Sequence, residues 1–207
     1  MRLTRPVVLR AALDLLNEAG MDGLTTRRLA DRLGVQSPTL YWHFKNKRDL
    51  LDAMAAEMLA ERHQRSSPGQ GEDWREWLLD NARSFRHALL AYRDGARIHA
   101  GTQPRDGELG GVEAKLRFLC AAGFDPAEAL SALIALGRFV VGWVLEEQAE
   151  AEIASEVGDR TLLPSATEHP LLAEGLGRYR DKSGDAAFDQ SIGIFIAGLA
   201  PSAEPYS

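Results

Sequence analysis

Two sets of side chains in this sequence could do chemistry. The first is a run of guanidinium, hydroxyl and ammonium groups between Leu24 and Lys47, which could bind the phosphates and base edges of nucleic acid. The second comprises His63, His99 and Glu146, whose imidazole and carboxylate groups could hold a metal ion for hydrolysis. The elements that carry these residues decide which chemistry is available.

The hydrolase hypothesis lacks the local patterns that such enzymes use. The sequence contains no His-x-x-x-His pair, no Gly-x-Ser-x-Gly turn and no phosphate-binding glycine loop. His63, His99 and Glu146 fall in separate predicted helices, and no nucleophile or general base accompanies them. We therefore predict that the protein is not an enzyme.

The spacing of apolar residues predicts an all-α protein. Leu and Ala dominate, Gly and Pro cluster between the periodic stretches, and no β-branched alternation is long enough to propose a sheet. The predicted helices cover about 6–20, 26–33, 37–44, 47–63, 74–92, 94–101, 108–122, 126–149 and 186–199. Residues 155–170 are polar and contain a proline, which predicts a loose connection.

A turn-rich segment at 65–73, Arg-Ser-Ser-Pro-Gly-Gln-Gly-Glu-Asp, is the clearest break in the chain. It predicts a small N-terminal domain of three helices at 1–46, a connecting helix at 47–64 and a larger helical domain at 65–207.

The second and third predicted helices form a helix-turn-helix. They are separated by Gly34-Val35-Gln36-Ser37, and Leu29, Ala30, Leu33 and Leu40 would hold them together. In such a unit the second helix enters the major groove and presents its N-terminal side chains to base edges. We therefore expect double-stranded DNA as a partner.

Charge and composition agree with a protein that touches DNA at one end. The 207 residues carry a formal charge of −6, yet residues 1–50 hold nine Lys or Arg against five Asp or Glu. The single cysteine excludes an intramolecular disulfide. No apolar run approaches the ~18 residues of a spanning helix and no signal-peptide layout opens the chain, so we predict a cytoplasmic location without a membrane.

Two segments of the sequence resemble the Tet repressor (TetR) family: Leu24-Thr-Thr-Arg-Arg-Leu-Ala30 and Pro38-Thr-Leu-Tyr-Trp-His-Phe-Lys-Asn-Lys47. The similarity continues through 92–96, 116–118 and 144–148, covers about residues 2–150, and points to the tetracycline-repressor branch; residues 151–185 match poorly. The resemblance implies a homodimeric transcriptional repressor that binds a palindromic operator and releases it when a small-molecule effector binds to the larger domain.

The resemblance also implies roles in DNA binding. Arg27 would read a guanine edge, Thr26, Thr39, Tyr41 and Lys47 would hold phosphates, and His43 would touch backbone or base. Packing between helices is the alternative role for Tyr41 and His43. The family's base-reading Gln before Pro38 is Ser37 here, with Gln36 one position earlier, so we expect a different operator sequence.

Effector contacts follow from the same likeness. His63, Asn81 and Phe85 would touch the ligand, and His99 and Thr102 would lie in a segment, 98–104, that changes conformation. His99 would ligate a magnesium ion chelated by the ligand, and Glu146 of the partner subunit would act through water. Because magnesium prefers oxygen-rich octahedral coordination, such a site needs a chelating ligand. No cofactor is expected for folding.

Three substitutions distinguish the predicted effector site from that of the branch. Gln103 replaces an Arg, Lys115 replaces a Gln and Arg138 replaces a His, and all three are expected to contact the ligand. Altered hydrogen bonds at a buried site change ligand selection strongly. Tetracycline and another polyketide-like or chelating aromatic compound are therefore both candidates.

Residues 126–149 and 186–199 are apolar on broad faces, which either line the subunit's own core or bind a second copy. The family likeness implies a four-helix bundle across a two-fold axis. Ligand binding would reorder 98–104, shift the helix at 47–63 and change the separation of the two reading helices. A ligand-independent DNA binder is the remaining alternative.

Overall fold

A computed structural model describes residues 3–102, 106–158, 164–182 and 184–201, and these ranges form helices and turns without a strand. This confirms the all-α prediction. The α-helices are α1 (Arg5–Gly23), α2 (Thr26–Leu33), α3 (Ser37–Leu40), α4 (Lys47–Arg62), α5 (Trp74–Leu90), α6 (Gly95–His99), α7 (Leu109–Ala121), α8 (Pro126–Val157), α9 (Pro170–Arg180) and α10 (Gly184–Ala197). One turn of 3₁₀ helix, Asp106–Glu108, precedes α7.

The N-terminal helices pack around one apolar core. Val8 and Leu16 of α1, Leu29 of α2 and Leu40 of α3 are buried together with Met54 of α4. Burial of such side chains contributes roughly 1.5–3 kcal/mol each, which holds the short helices in position. The helix-turn-helix is therefore rigid because of its tertiary packing, since α2 and α3 are too short to be stable alone.

The third helix ends earlier than the sequence predicts. The pattern predicts a helix to Phe44, but α3 ends at Leu40, and three turn residues follow it. The amides of Tyr41, Trp42 and His43 donate to carbonyls three residues earlier, at 3.2, 3.3 and 3.0 Å. The backbone thus tightens into 3₁₀-like turns while Leu40 and Phe44 keep their buried positions.

The C-terminal helices form a second core around α5. Trp77 and Leu78 of α5 are fully buried against Val140 of α8 and Phe188 and Ile192 of α10. Phe188 is also covered edge-on by Trp143, with 5.5 Å between ring centroids. This core fixes α5, whose one face supplies the predicted effector residues.

Helix α4 joins the two parts of the chain. Met54 and Met58 are fully buried in the N-terminal core, which also contains Tyr92 and Ile98 from the α5–α6 region. The Tyr92 hydroxyl donates to Glu61 of α4 at 2.5 Å. The α5–α6 region and α4 therefore share one close-packed core.

The chain after residue 150 contains more helix than predicted. Helix α8 continues to Val157, and α9 covers Pro170–Arg180, where the pattern predicts a loose connection to 170 and no further helix before 186. Helix α9 has no buried residue, so it leaves no apolar period in the sequence.

Helix α8 is long and apolar enough to cross a membrane by length and composition, with a mean hydropathy of 1.7 in its best window. This corrects the prediction that no stretch reaches that threshold: Gly137 and Arg138 interrupt the apolar run, but the residues around them keep the mean hydropathy high. Only 28% of the window is buried within the subunit. Helix α8 has two apolar faces. The face buried inside the subunit consists of Ala129, Ala132, Leu136, Val140 and Val144, and the more exposed face consists of Leu130, Ile134, Val141 and Leu145.

Candidate effector site and DNA-binding surface

The predicted DNA-binding residues occupy α2, α3, the turn after α3 and the start of α4. Most are exposed: Arg27, Gln36, Pro38, Tyr41 and Lys47. Thr26, Ser37, Thr39 and His43 are half-buried. The arrangement offers guanidinium, hydroxyl and ammonium groups on the helix-turn-helix, as phosphate and base contacts require. Their individual roles in DNA binding stay predictions.

Helix capping determines where these residues lie. The Thr25 hydroxyl accepts from the Arg28 amide at 3.2 Å, and the Asn46 side chain accepts from the Asp49 amide at 2.9 Å. Gly34 ends α2 with φ +67°, a left-handed conformation that glycine adopts without strain. These caps set the starts of α2 and α4 and hence the directions of Arg27 and Lys47.

Trp42 was not among the predicted site residues, although it belongs to the same motif. It is 87% exposed, the largest exposure of any big apolar side chain in the described part of the chain. A large exposed indole beside Tyr41 is costly in water and suited to a contact surface. Its only signal in the sequence is its position between two predicted contact residues.

The predicted effector residues on α4 and α5 do come together. His63 follows the last residue of α4, and its Nδ1 lies 3.0 Å from the Ser84 hydroxyl. The Asn81 amide nitrogen lies 3.3 Å from His63 Nε2 and donates to the Arg65 carbonyl at 2.9 Å. Ser84 also accepts from the Arg65 amide at 3.1 Å. This network assigns the proton to Nδ1 and leaves Nε2 as an acceptor.

Phe85 links the two histidines. Its ring centroid is 5.6 Å from that of His63 and 5.0 Å from that of His99, which meets it edge-on. The Thr102 hydroxyl donates to the His99 carbonyl at 2.8 Å and lies 3.4 Å from His99 Nδ1. We call His63, Asn81, Ser84, Phe85, His99 and Thr102 the histidine cluster. Ser84 is the member that sequence reasoning missed, although it lies one turn from Asn81.

Burial keeps the imidazoles of the cluster neutral. Desolvation, followed by the charges of Lys115 and His99, lowers the pKa of His63 to about 4. Burial also lowers the pKa of His99 and that of the Lys115 ammonium. A neutral imidazole has one lone pair; that of His63 faces the Asn81 amide, whereas the Nε2 atom of His99 has no described partner and can accept a hydrogen bond from a ligand or bind a metal ion.

Within the described residues, no group of three His, Cys, Asp or Glu side chains could hold a metal ion. His63 and His99 both contact Phe85, whereas Glu146 is exposed on α8. The cluster can therefore supply one imidazole to an ion whose other ligands come from elsewhere, as a chelating molecule and waters would provide.

Family comparisons identify both parts of the chain. Residues 8–54 match the family model "Bacterial regulatory proteins, tetR family", and residues 67–202 match "Tetracyclin repressor-like, C-terminal domain".

The chain belongs to the TetR family.

Relatives of this TetR-family chain align over nearly its whole length. It is 54% identical over 199 residues to the class A tetracycline repressor protein of transposon 1721 from Escherichia coli, covering 96% of this chain and 91% of the relative. It is 52% identical over 202 residues to the class G tetracycline repressor protein of Vibrio anguillarum, covering 96% and 94%. The resemblance inferred from the motifs is thereby confirmed.

Solved structures of the TetR family have the same fold. A repressor variant from Acinetobacter baumannii AYE in complex with minocycline is 52% identical, with a TM-score of 0.78 over 95% of this chain and 96% of that one. A class A repressor in complex with 5a,6-anhydrotetracycline and magnesium is 49% identical, with a TM-score of 0.75 over 95% and 97%.

The remaining predicted effector residues lie differently in this TetR-family chain. Lys115 of α7 is half-buried, and its charge contributes to the lowered pKa of His63. Arg138 and Glu146 are exposed on α8, and no described hydrogen bond or ion pair joins them to the histidine cluster. Gln103 lies outside the described residues.

Proposed function

We propose that the effector of this chain is a tetracycline-like molecule bound together with magnesium. The chain is a ligand-responsive transcriptional repressor of the TetR family, and its relatives of about 50% identity are tetracycline repressors. The observation that carries the proposal is the contact of Phe85 with both His63 and His99, which assembles two neutral imidazoles around one aromatic ring. An aromatic chelator could stack on this ring and bind both histidines.

The donor set fits magnesium only in combination with a ligand. His99 would supply one nitrogen, and Thr102 and Glu146 of a partner subunit could bind water molecules around the ion. A bound magnesium ion would neutralise the negative charge of the ligand's chelating oxygens. The chain's own contribution is to keep His99 neutral through burial and to hold its ring edge-on against Phe85.

We assign residues 1–46 to DNA binding, 47–64 to the connecting helix and 65–207 to ligand binding and dimerisation. The protein would act as a homodimer on a palindromic operator in the cytoplasm, without enzymatic activity. The exposed apolar side chains on α8 and α10, Leu130, Ile134 and Ile194, support the dimer because such patches are unfavourable in water.

The structure supports a route from effector to operator. Helix α4 begins at Lys47, a predicted phosphate contact, and is followed directly by His63 in the histidine cluster. Met58 of α4 packs against Gly95 of α6, and α6 carries His99. Ligand contacts at His99 and His63 would move α6 and α4 together, and a ligand preferring the released state 100-fold would supply about 2.7 kcal/mol.

The test is selection of bound sequences from a random DNA pool, followed by titration of the selected operator. We expect an inverted repeat that is released by anhydrotetracycline with magnesium and retained when a chelator removes the metal. An inverted repeat that no tetracycline releases would exclude this effector. Failure to select any inverted repeat would contradict operator binding by a dimer.

A further inference from the structure

The turn after α3 carries predicted DNA-binding residues that lie outside any helix. Helix α3 ends at Leu40, so Tyr41, Trp42 and His43 follow it in a turn. Residues inside an α-helix are oriented by its regular backbone hydrogen bonds, whereas a 3₁₀-like turn makes fewer bonds of poorer geometry. The orientation of these side chains therefore depends on contacts from other parts of the chain. We call residues 41–46 the α3–α4 turn.

Arg5, the first residue of α1, contacts this turn from a distant part of the sequence. Its Nη1 donates to the His43 carbonyl at 2.8 Å, across a separation of 38 residues. Its guanidinium lies over the Phe44 ring, 4.4 Å from the ring centroid, in a cation–π contact. Its Nη2 lies 3.8 Å from a carboxylate oxygen of Asp49 in α4. One side chain thus connects the start of α1 to the α3–α4 turn and to the start of α4.

Asp49 holds the second half of the same turn. Its Oδ2 accepts from the Lys45 amide at 3.0 Å, while its Oδ1 faces Arg5. Phe44 lies between these two contacts and is only 3% exposed, because its ring packs into the N-terminal core. Arg5 and Asp49 therefore hold the backbone immediately before and after Phe44.

A guanidinium suits the position of Arg5 better than an ammonium would. Arginine presents its donors in a fixed plane and stacks on aromatic faces, which a lysine cannot do with one nitrogen. Here the same group contacts a carbonyl, an aromatic ring and a carboxylate. Both terminal nitrogens of Arg5 face partners within the protein, so the residue can influence DNA binding through the turn that it holds.

We infer that Arg5 is a positioning residue for operator binding, which orients the α3–α4 turn and its side chains Tyr41 and His43 without contacting DNA itself. The inference rests on the proposed operator binding and extends it from the contact residues to the side chain that holds their backbone. Specific binding needs side chains placed within hydrogen-bond tolerance of base edges, whereas non-specific binding follows charge. Loss of Arg5 should therefore weaken binding to the operator far more than binding to unrelated DNA.

The first experiment measures the affinity of the full-length protein for the selected operator and for an unrelated duplex of the same length. We expect Arg5→Met to weaken operator binding about 10-fold and binding to the unrelated duplex about 2-fold or less. Arg5→Lys keeps the charge but cannot serve all three partners, so it should recover only part of the loss. Arg10→Met is the matched control, because it removes one positive charge from the same helix, where Arg10 pairs with Glu61. It should bind both duplexes like the unmodified protein.

Salt dependence separates positioning from a direct phosphate contact. If Arg5 bound a phosphate, Arg5→Met would lower the slope of log affinity against log salt concentration by about 1, and Arg5→Lys would restore both slope and affinity. Positioning predicts an unchanged slope and partial recovery by lysine. A reduced slope with full recovery by lysine, or an unchanged operator affinity in Arg5→Met, would overturn the inference while operator binding stands.

Hydrogen exchange tests Arg5 even if no operator is selected. In peptides that cover residues 41–46, Arg5→Met should speed amide exchange about 10-fold and Arg5→Lys by less, because the turn opens locally more often. Arg10→Met should leave this exchange unchanged. Faster exchange in Arg5→Met without any selected operator would contradict the proposed function but support the positioning of the turn by Arg5. Exchange as slow as in the unmodified protein would overturn the inference.

Discussion

The guanidinium of Arg86 forms a two-point ion pair with Glu147, with its Nε and Nη2 atoms 2.9 and 2.6 Å from the two carboxylate oxygens. A third bond, from Nη1 to Asp185, measures 2.6 Å. The Arg86 side chain is only 6% exposed and connects α5 to both α8 and α10. Phe85 precedes Arg86 in the chain, and Glu146 precedes Glu147. The ion pair between Arg86 and Glu147 therefore also fixes the register between the histidine cluster and α8.

Arg86→Met should lower the free energy of unfolding by about 2–4 kcal/mol, because it leaves Glu147 poorly solvated and without its partner. Chemical denaturation measures this. Arg83→Met is the matched control: Arg83 pairs with Asp189 of α10 at 2.8 Å, but the two side chains are 40% and 36% exposed. We expect Arg83→Met to lower the free energy of unfolding by less than about 1 kcal/mol. Equal losses for the two variants would contradict the special position of Arg86.

Stability should depend on pH through His63. Its folded pKa of about 4 lies below the ordinary value of 6.5, so the unfolded chain binds more protons between these values. The free energy of unfolding should therefore fall as pH drops from about 6.5 to 4, by up to about 3 kcal/mol from this group. His63→Gln should flatten the profile of denaturation midpoint against pH.

The control for His63 is His169→Gln, which removes an exposed histidine before α9. It should leave the pH profile unchanged. A His63→Gln protein that loses stability on acidification as steeply as the unmodified chain would show that the imidazole is not desolvated.

Two glycines should differ strongly in tolerance to substitution. A Cβ at Gly95 would lie 2.1 Å from the Leu89 carbonyl oxygen, so Gly95→Ala must displace α6 and should cost about 3 kcal/mol or more. Gly34 has a φ of +67° but nothing within 4 Å of an added Cβ, so Gly34→Ala should cost only about 1 kcal/mol. Thermal unfolding compares the two variants, and a larger loss at Gly34 would contradict this packing.

Arg27→Ala should weaken binding to the selected operator by about 1–3 kcal/mol and relax sequence preference at one position in each half-site. Arg28→Ala is the control on the same helix, because Arg28 Nη1 donates to the Gly23 carbonyl at 3.1 Å and so serves the fold. It should preserve sequence preference. Gel-shift titration against mutated operators measures the affinity and the sequence preference of each variant. An unchanged sequence preference after Arg27→Ala would show that Arg27 does not read a base.

Ile194→Glu should weaken the dimer, since Ile194 is 70% exposed on α10 and a buried carboxylate at an interface is costly. Light scattering across a dilution series should show monomer at concentrations where the unmodified protein is dimeric. Leu90→Glu, at the end of α5 and 37% exposed, should leave the assembly intact. A stable dimer of the Ile194 variant would exclude this face from the interface.

Much of the fold could be predicted because its signals are local. Gly34, Pro38 and the leucines around them mark the helix-turn-helix through turn chemistry and apolar spacing, and the structure has both short helices there. Helix α9 gave no such signal because none of its residues is buried.

The candidate site was less predictable than the fold. Asn81 and Phe85 share a helix face by their spacing, but their meeting with His63 and His99 depends on how α4, α5 and α6 pack. The half-burial of Lys115 on α7 is a tertiary property too. Glu146 and Arg138 are exposed on α8, and no described contact joins them to the cluster.

The length of α4 sets the scale of the allosteric response. Its 16 residues span about 24 Å at 1.5 Å per residue. A tilt of only ~5° about the end near His63 would sweep the Lys47 end through roughly 2 Å, and two-fold symmetry would double the change to about 4 Å between the two reading helices. Such a displacement exceeds the tolerance of a hydrogen bond, so a rotation too small to disturb the core could detach the protein from its operator.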